Sequence, residues 1–154
     1  MKVIDFTTPD AIFIDLPAGS KKQALQELSK RGEKLTGIKA RTIFDVLLER
    51  EKLGSTGIGN GIAIPHGRVA GLSHMRGLFC RLDQPVPFGS VDEQPVDLLF
   101  VILAPEDADS EHVKLLAQTA RQLRDESLSA DLRQADRPET FFALLTGTPT
   151  QNAA

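Results

Sequence analysis

Val96-Asp97-Leu98-Leu99-Phe100-Val101-Ile102-Leu103 is the strongest strand signal in the chain, nearly continuous in apolar side chains and closed by Ala104-Pro105. A run of that length and composition predicts a central strand buried on both faces, with the proline marking its end. Beyond it, Asp109 and Ser110 offer a cap for a helix to about residue 125, in which His112, Leu116, Thr119 and Leu123 share one face. His112 falls in the first turn on the inward side. Two readings stay open for it: a partly buried histidine satisfied by hydrogen bonds, or a contact to an anion near the helix N-terminus. Residues 128–135 and 138–145 read as two short closing helices, the second opened by Pro138, and 146–154 as a frayed tail.

On the other side of the central strand, Pro85-Val86-Pro87-Phe88-Gly89 reads as a rigid extended connector or turn, and residues 75–82 as a strand. That strand contains the one cysteine, Cys80, whose apolar neighbours suit a small buried side chain. Residues 39–53 alternate as an amphipathic helix, with Ile43, Phe44, Val46, Leu47 and Leu48 against Arg41, Asp45, Glu49 and Lys52. Arg50 lies in its last turn, where a cation matches the helix dipole; spacing alone does not separate that role from a place in a site. An earlier helix starts at the N-cap Ser20 and stops at Gly37, and residues 11–16 form a short strand. The order strand, helix, helix, strand, strand, strand, helices predicts an α/β sandwich: one mixed β-sheet flanked by helices, in one domain over 1–154 with its core at about 11–145.

Composition limits the function. The chain has 154 residues, 41% of them hydrophobic, enough for one core. Its net charge is −3, and no basic cluster suggests a nucleic-acid footprint or a membrane anchor. Neither a secretory leader nor an apolar run of membrane-spanning length is visible, so the expectation is a cytoplasmic protein with no membrane insertion. A single cysteine forms no internal disulfide, and His66, His74 and His112 lack metal-ligand spacing, so no metal site is expected.

The chemistry concentrates in Gly54-Ser55-Thr56-Gly57-Ile58-Gly59-Asn60-Gly61-Ile62-Ala63-Ile64-Pro65-His66-Gly67-Arg68. It reads as a glycine-dense loop, a short Ile-Ala-Ile strand and a proline-histidine-glycine turn displaying one imidazole. Glycines allow close backbone approach to a ligand, which suggests anion handling beside a nucleophilic nitrogen. The glycine spacing fits neither a dinucleotide fingerprint nor a P-loop, and Ser55 does not sit in a nucleophile elbow. What remains is histidine as the nucleophile: neutral imidazole has one free lone pair and can accept and return a phosphoryl group. Loop amides, hydroxyls, an arginine and a second histidine would then stabilise the transferred group.

Residues 54–67 closely resemble the active-site segment of the enzyme IIA proteins of the bacterial phosphotransferase system, fructose/mannitol class, and among these the nitrogen-regulatory branch. The resemblance continues through Asp92-Glu93-Gln94-Pro95-Val96-Asp97-Leu98-Leu99-Phe100 and the helix bearing His112, over roughly 11–145. It implies a mannitol-type enzyme IIA fold. It also implies that His66 is phosphorylated on the ring nitrogen far from the backbone, that His112 orients the phosphoryl group, and that Arg50 balances its charge. Ser55, Thr56, Gly57, Gly59, Asn60 and Gly61 would shape the phosphoryl-binding loop. The implied donor is a small phosphohistidine carrier of the HPr/NPr kind, charged ultimately from phosphoenolpyruvate, with no cofactor. The implied role is a phosphocarrier that regulates target proteins of nitrogen, potassium or carbon metabolism. A sugar-specific enzyme IIA passing phosphoryl to an enzyme IIB, and a binding module without catalysis, are the alternatives.

Overall fold

The computed structural model describes residues 2–147. Two short 3-10 turns, Val3–Asp5 and Pro9–Ala11, lead into β1 (Ile12–Leu16), α1 (Lys21–Thr36) and α2 (Ala40–Leu53). Then come β2 (Gly57–Gly59), β3 (Ile62–Ala63), β4 (His66–Val69), β5 (Arg76–Val86) and β6 (Val96–Pro105). The chain closes with α3 (Ser110–Leu123), α4 (Glu126–Gln134) and α5 (Pro138–Thr146). Ser20 caps α1 by accepting from the Gln23 amide, and Asp109 caps α3 by accepting from Glu111.

The strands form one mixed sheet in the order β1-β5-β6-β3-β2, with β4 also paired to β6. Strand β6 runs antiparallel to β5 and parallel to both β3 and β4. Its side chains alternate between two cores, as the two-faced burial expected of it requires. Leu98, Phe100 and Ile102 pack with Leu115, Leu132 and Phe141 of α3, α4 and α5. Leu99, Val101 and Leu103 pack on the opposite face with Leu25, Leu28, Ile43 and Leu47 of α1 and α2. The sandwich of helices on both faces of a mixed sheet therefore stands as read from the sequence. Cys80 is buried in the second of these cores, where desolvation pushes its thiol far up.

Two strands were not legible as such. The glycine-dense loop is partly a hairpin: β2 and β3 pair antiparallel across Asn60-Gly61. Both turn residues have positive φ, 58° and 77°, the conformation of a type I′ turn. The expected proline-histidine-glycine turn is instead the entry to β4. Pro65 has no N–H for the ladder, but its carbonyl accepts from the Ile102 amide at 3.0 Å, and His66 resumes the pairing with β6. Strand β5 also continues to Val86, into the segment expected as a connector, with its register shifting between Arg81 and Val86. Of the expected tail, Thr146 closes α5, and residues 148–154 lie outside the described residues. Among the described residues no helix is long and apolar enough to cross a membrane.

Candidate active site

His66 opens β4, and the alternation of that strand decides where its ring goes. Gly67 and Val69 face α1 and α2; Val69 belongs to their core. His66 and Arg68 therefore project toward the α3 side. A Cβ at Gly67 would stand 2.3 Å from Val46 Cγ1, so only glycine lets α2 lie this close to β4. One helical turn beyond Val46, Arg50 reaches around the sheet edge to the imidazole.

Both ring nitrogens of His66 are engaged. Nδ1 lies 2.8 Å from the carbonyl oxygen of Ile64. A carbonyl only accepts, so Nδ1 carries the proton and the lone pair is on Nε2. There the Nε–H of Arg50 donates to it at 3.3 Å, while Arg50 Nη1 donates to the Gly54 carbonyl at 2.8 Å. Burial is the largest influence on the basicity of His66 and pushes it below the ordinary imidazole value. The Ile64 hydrogen bond opposes that shift, Arg50 adds to it and Glu51 opposes it. The Nε2 that accepts from Arg50 carries no proton in this arrangement.

The second histidine arrives from α3. The rings of His66 and His112 are 6.3 Å apart between centroids and inclined at 58°. Both ring nitrogens of His112 are buried, and neither has a hydrogen-bond partner among the described residues. Burial lowers its basicity first, with His66 and Arg68 lowering it further. A buried imidazole without partners is uncommon, and here it stands beside the His66 ring, with Arg68 also near.

Beside His66 lies an open cleft of about 390 Å³. Arg50, Ser55, Thr56 and Gly57 line one side, and Val113 and Leu116 of α3 the other. The structure thus brings Arg50, Ser55, Thr56 and Gly57 to His66, with His112 at its flank. Gly59, Asn60 and Gly61 are not at the cleft. They form the hairpin tip, held by Asp92, which accepts from the Asn60 amide at 2.9 Å, and by Arg133, which donates to the Asn60 carbonyl at 2.5 Å. Nor do the loop amides form an open cradle: the Gly57 amide donates to Ser55 Oγ at 3.0 Å and the Ile64 amide to the Thr56 carbonyl at 3.0 Å. Among the described residues no group of three or more His, Cys, Asp or Glu side chains could hold a metal ion.

Three contributors escape the sequence reading. The Ile64 carbonyl has no sequence signature, because every residue carries one. Gly67 was read as part of a turn. Glu51 stands in the charged run Glu49-Arg50-Glu51-Lys52, yet it is buried, and the spacing Ile43, Leu47, Glu51 puts it on the apolar stripe of α2. An acid on that stripe was the available signal.

Comparison with known proteins accords with this geometry. The family described as "Phosphoenolpyruvate-dependent sugar phosphotransferase system, EIIA 2" matches residues 5–147. A nitrogen regulatory protein of Bradyrhizobium diazoefficiens is 47% identical over 153 residues, covering 99% of this chain and 100% of that one. The crystal structure of nitrogen regulatory protein IIA-Ntr from Neisseria meningitidis superposes with a TM-score of 0.87 at 37% identity, over 92% of this chain and 97% of that one. IIA mannitol from Escherichia coli shares the fold, with a TM-score of 0.75 at 24% identity over 90% and 97% of the two chains.

Proposed function

Because the chain belongs to the EIIA 2 family of the phosphoenolpyruvate-dependent sugar phosphotransferase system, we propose that it is a phosphocarrier and regulator whose phosphoryl acceptor is His66 Nε2. The observation that carries this reading is the tautomer. The Ile64 carbonyl keeps the proton on Nδ1, so the nucleophilic lone pair of a neutral imidazole points to the side where Arg50 stands.

In the proposed step Nε2 attacks the phosphorus of a phosphohistidine on a small carrier protein of the HPr/NPr kind. The new N–P bond forms as the donor's N–P bond breaks, and the electron pair of the broken bond returns to the donor imidazole. Since Nδ1 keeps its proton, positive charge grows on the His66 ring, and the Ile64 carbonyl stabilises it. The Arg50 guanidinium, resting on the lone pair, moves outward onto the phosphoryl oxygens. His112, otherwise unpartnered, donates to the same group. The step calls for no nucleotide, metal or other cofactor, and we place the relay in the cytoplasm, where phosphoenolpyruvate charges the carrier.

Phosphorylation adds negative charge beside an apolar wall containing Val113, which is 60% exposed. Such a change alters protein contacts at that face, which is how the phosphoryl state would be read by regulatory targets in nitrogen, potassium or carbon metabolism. The similarity to nitrogen regulatory proteins over nearly the whole chain favours this role above a sugar-specific one.

The test is incubation with phosphoenolpyruvate, enzyme I and the carrier. Wild-type protein acquires an acid-labile phosphoryl group, and His66→Ala does not. Equal labelling of His66→Ala would sink the assignment.

A further inference from the structure

Arg50 and Glu51 are neighbours on α2, and each addresses one nitrogen of the same imidazole. Arg50 does so directly at Nε2. Glu51 does so through the backbone of two residues. Its carboxylate, buried beneath the loop, accepts from the Thr56 hydroxyl and from the Thr56 amide at 3.3 Å. The Thr56 carbonyl in turn accepts from the Ile64 amide at 3.0 Å. The Ile64 carbonyl, at the far side of that residue, accepts the Nδ1 proton of His66 at 2.8 Å.

We propose that Glu51 is a positioning residue for the phosphoryl acceptor: through Thr56 and Ile64 it fixes the Nδ1–H tautomer of His66 and keeps Nε2 turned to the cleft. The inference rests on the functional reading above only for its kinetic consequence. The tautomer itself is a property of the resting protein.

The cost of burying this carboxylate points the same way. The Glu51 side chain is 3% exposed, and a carboxylate on the apolar stripe of a helix is unfavourable unless fully paired. It is paired on every side: Lys21 donates to it at 2.8 Å from α1, and Lys21 in turn lies 4.5 Å over the Phe88 ring. Ser55 Oγ donates to the Phe88 carbonyl at 2.7 Å, so the same assembly anchors the residue before Thr56. A leucine at position 51 would fill this part of α2 without a counter-ion, but it would leave the Thr56 amide and hydroxyl without an acceptor. What the acid adds is a fixed peptide at Thr56, and through it the ladder that sets Ile64.

The charged and titratable groups around the imidazole come from three elements. Arg50 and Glu51 belong to α2, His112 to α3 and Arg68 to β4 itself, with Lys21 of α1 behind Glu51. Among them only Glu51 is linked to the Nδ1 side through the backbone.

The experiment is Glu51→Gln in the full chain. This change keeps the size, but its one oxygen goes to the Lys21 ammonium, leaving the amide –NH2 against the Thr56 donors. Long-range proton–nitrogen spectra of the His66 ring report the tautomer with no phosphoryl donor present. Wild-type protein should give the pure Nδ1–H pattern, and Glu51→Gln a mixture of both tautomers. In the relay assay the variant should lose about tenfold or more in kcat, with KM for the carrier unchanged, as expected when an oriented nucleophile is loosened. Should Glu51→Gln fail to fold, Thr56→Val breaks the same path at its hydroxyl and should shift the ring pattern in the same direction. A folded variant of either kind that keeps the wild-type ring pattern overturns the proposal. Wild-type protein that gives the Nδ1–H pattern but takes up no phosphoryl overturns the functional reading instead.

Discussion

His66 and His112 are both less basic than a free imidazole, burial being the leading cause in each case. For the proposed transfer this keeps the Nε2 lone pair of His66 available. Transfer to His66 should hold its rate as pH falls through the ordinary imidazole value of about 6.5, declining only below it; a pH profile of the relay assay checks this. For stability the sign is opposite to that of a histidine gaining an acidic partner. Between the lowered values and about 6.5 the unfolded chain binds more protons than the folded one, so stability drops as pH falls through that window. Urea midpoints at pH 7.5 and pH 5.5 should show the loss, and His112→Gln should reduce it. Of these residues, His66 was legible because a Pro-His-Gly sequence behind a glycine cluster is distinctive. Arg50 and His112 were ambiguous by pattern: a cation at a helix end and a histidine in a first turn each have ordinary explanations.

The elements around the site differ in how plainly the sequence announces them. Strand β6 and helices α1, α2 and α3 follow from apolar periodicity and from caps at Ser20 and Asp109. Strands β2 and β4 do not, because three or four residues carry too little period and glycine carries no preference for either face. Asn60-Gly61 was a hairpin signal concealed within a loop reading. The packing of α2 on β4 was also unreadable, since it depends on the absence of a side chain at Gly67. That absence gives a direct test. Gly67→Ala should push Val46 and the helix outward, costing about 1–3 kcal/mol of stability by overpacking and slowing phosphoryl transfer by displacing Arg50. Adding Val46→Ala should restore most of both losses, as read by urea unfolding and the relay assay.

At the scale of the whole molecule, the sheet is the part that both cores share, and Phe100 of β6 packs between two other rings. It is fully buried, with Phe79 at 5.3 Å and Phe141 at 6.4 Å between centroids. Phe100→Ala should cost about 3–5 kcal/mol, a large part of the roughly 5–15 kcal/mol that holds a typical domain folded, and urea unfolding would show it. Arg81 joins layers by a different means, crossing from β5 to donate to the carbonyls of Leu132, Arg133 and Ala135 at the end of α4. The broken line of β3 and β4 keeps one address along β6 despite Pro65. Ile62 is matched with Leu98 and His66 with Ile102, the same offset of 36 on both sides of the break. The interruption therefore adds no step and drops none. What the site requires of positions 64 and 65 is their number: one residue more or fewer would send the imidazole through to the α1 and α2 side of the sheet, away from His112.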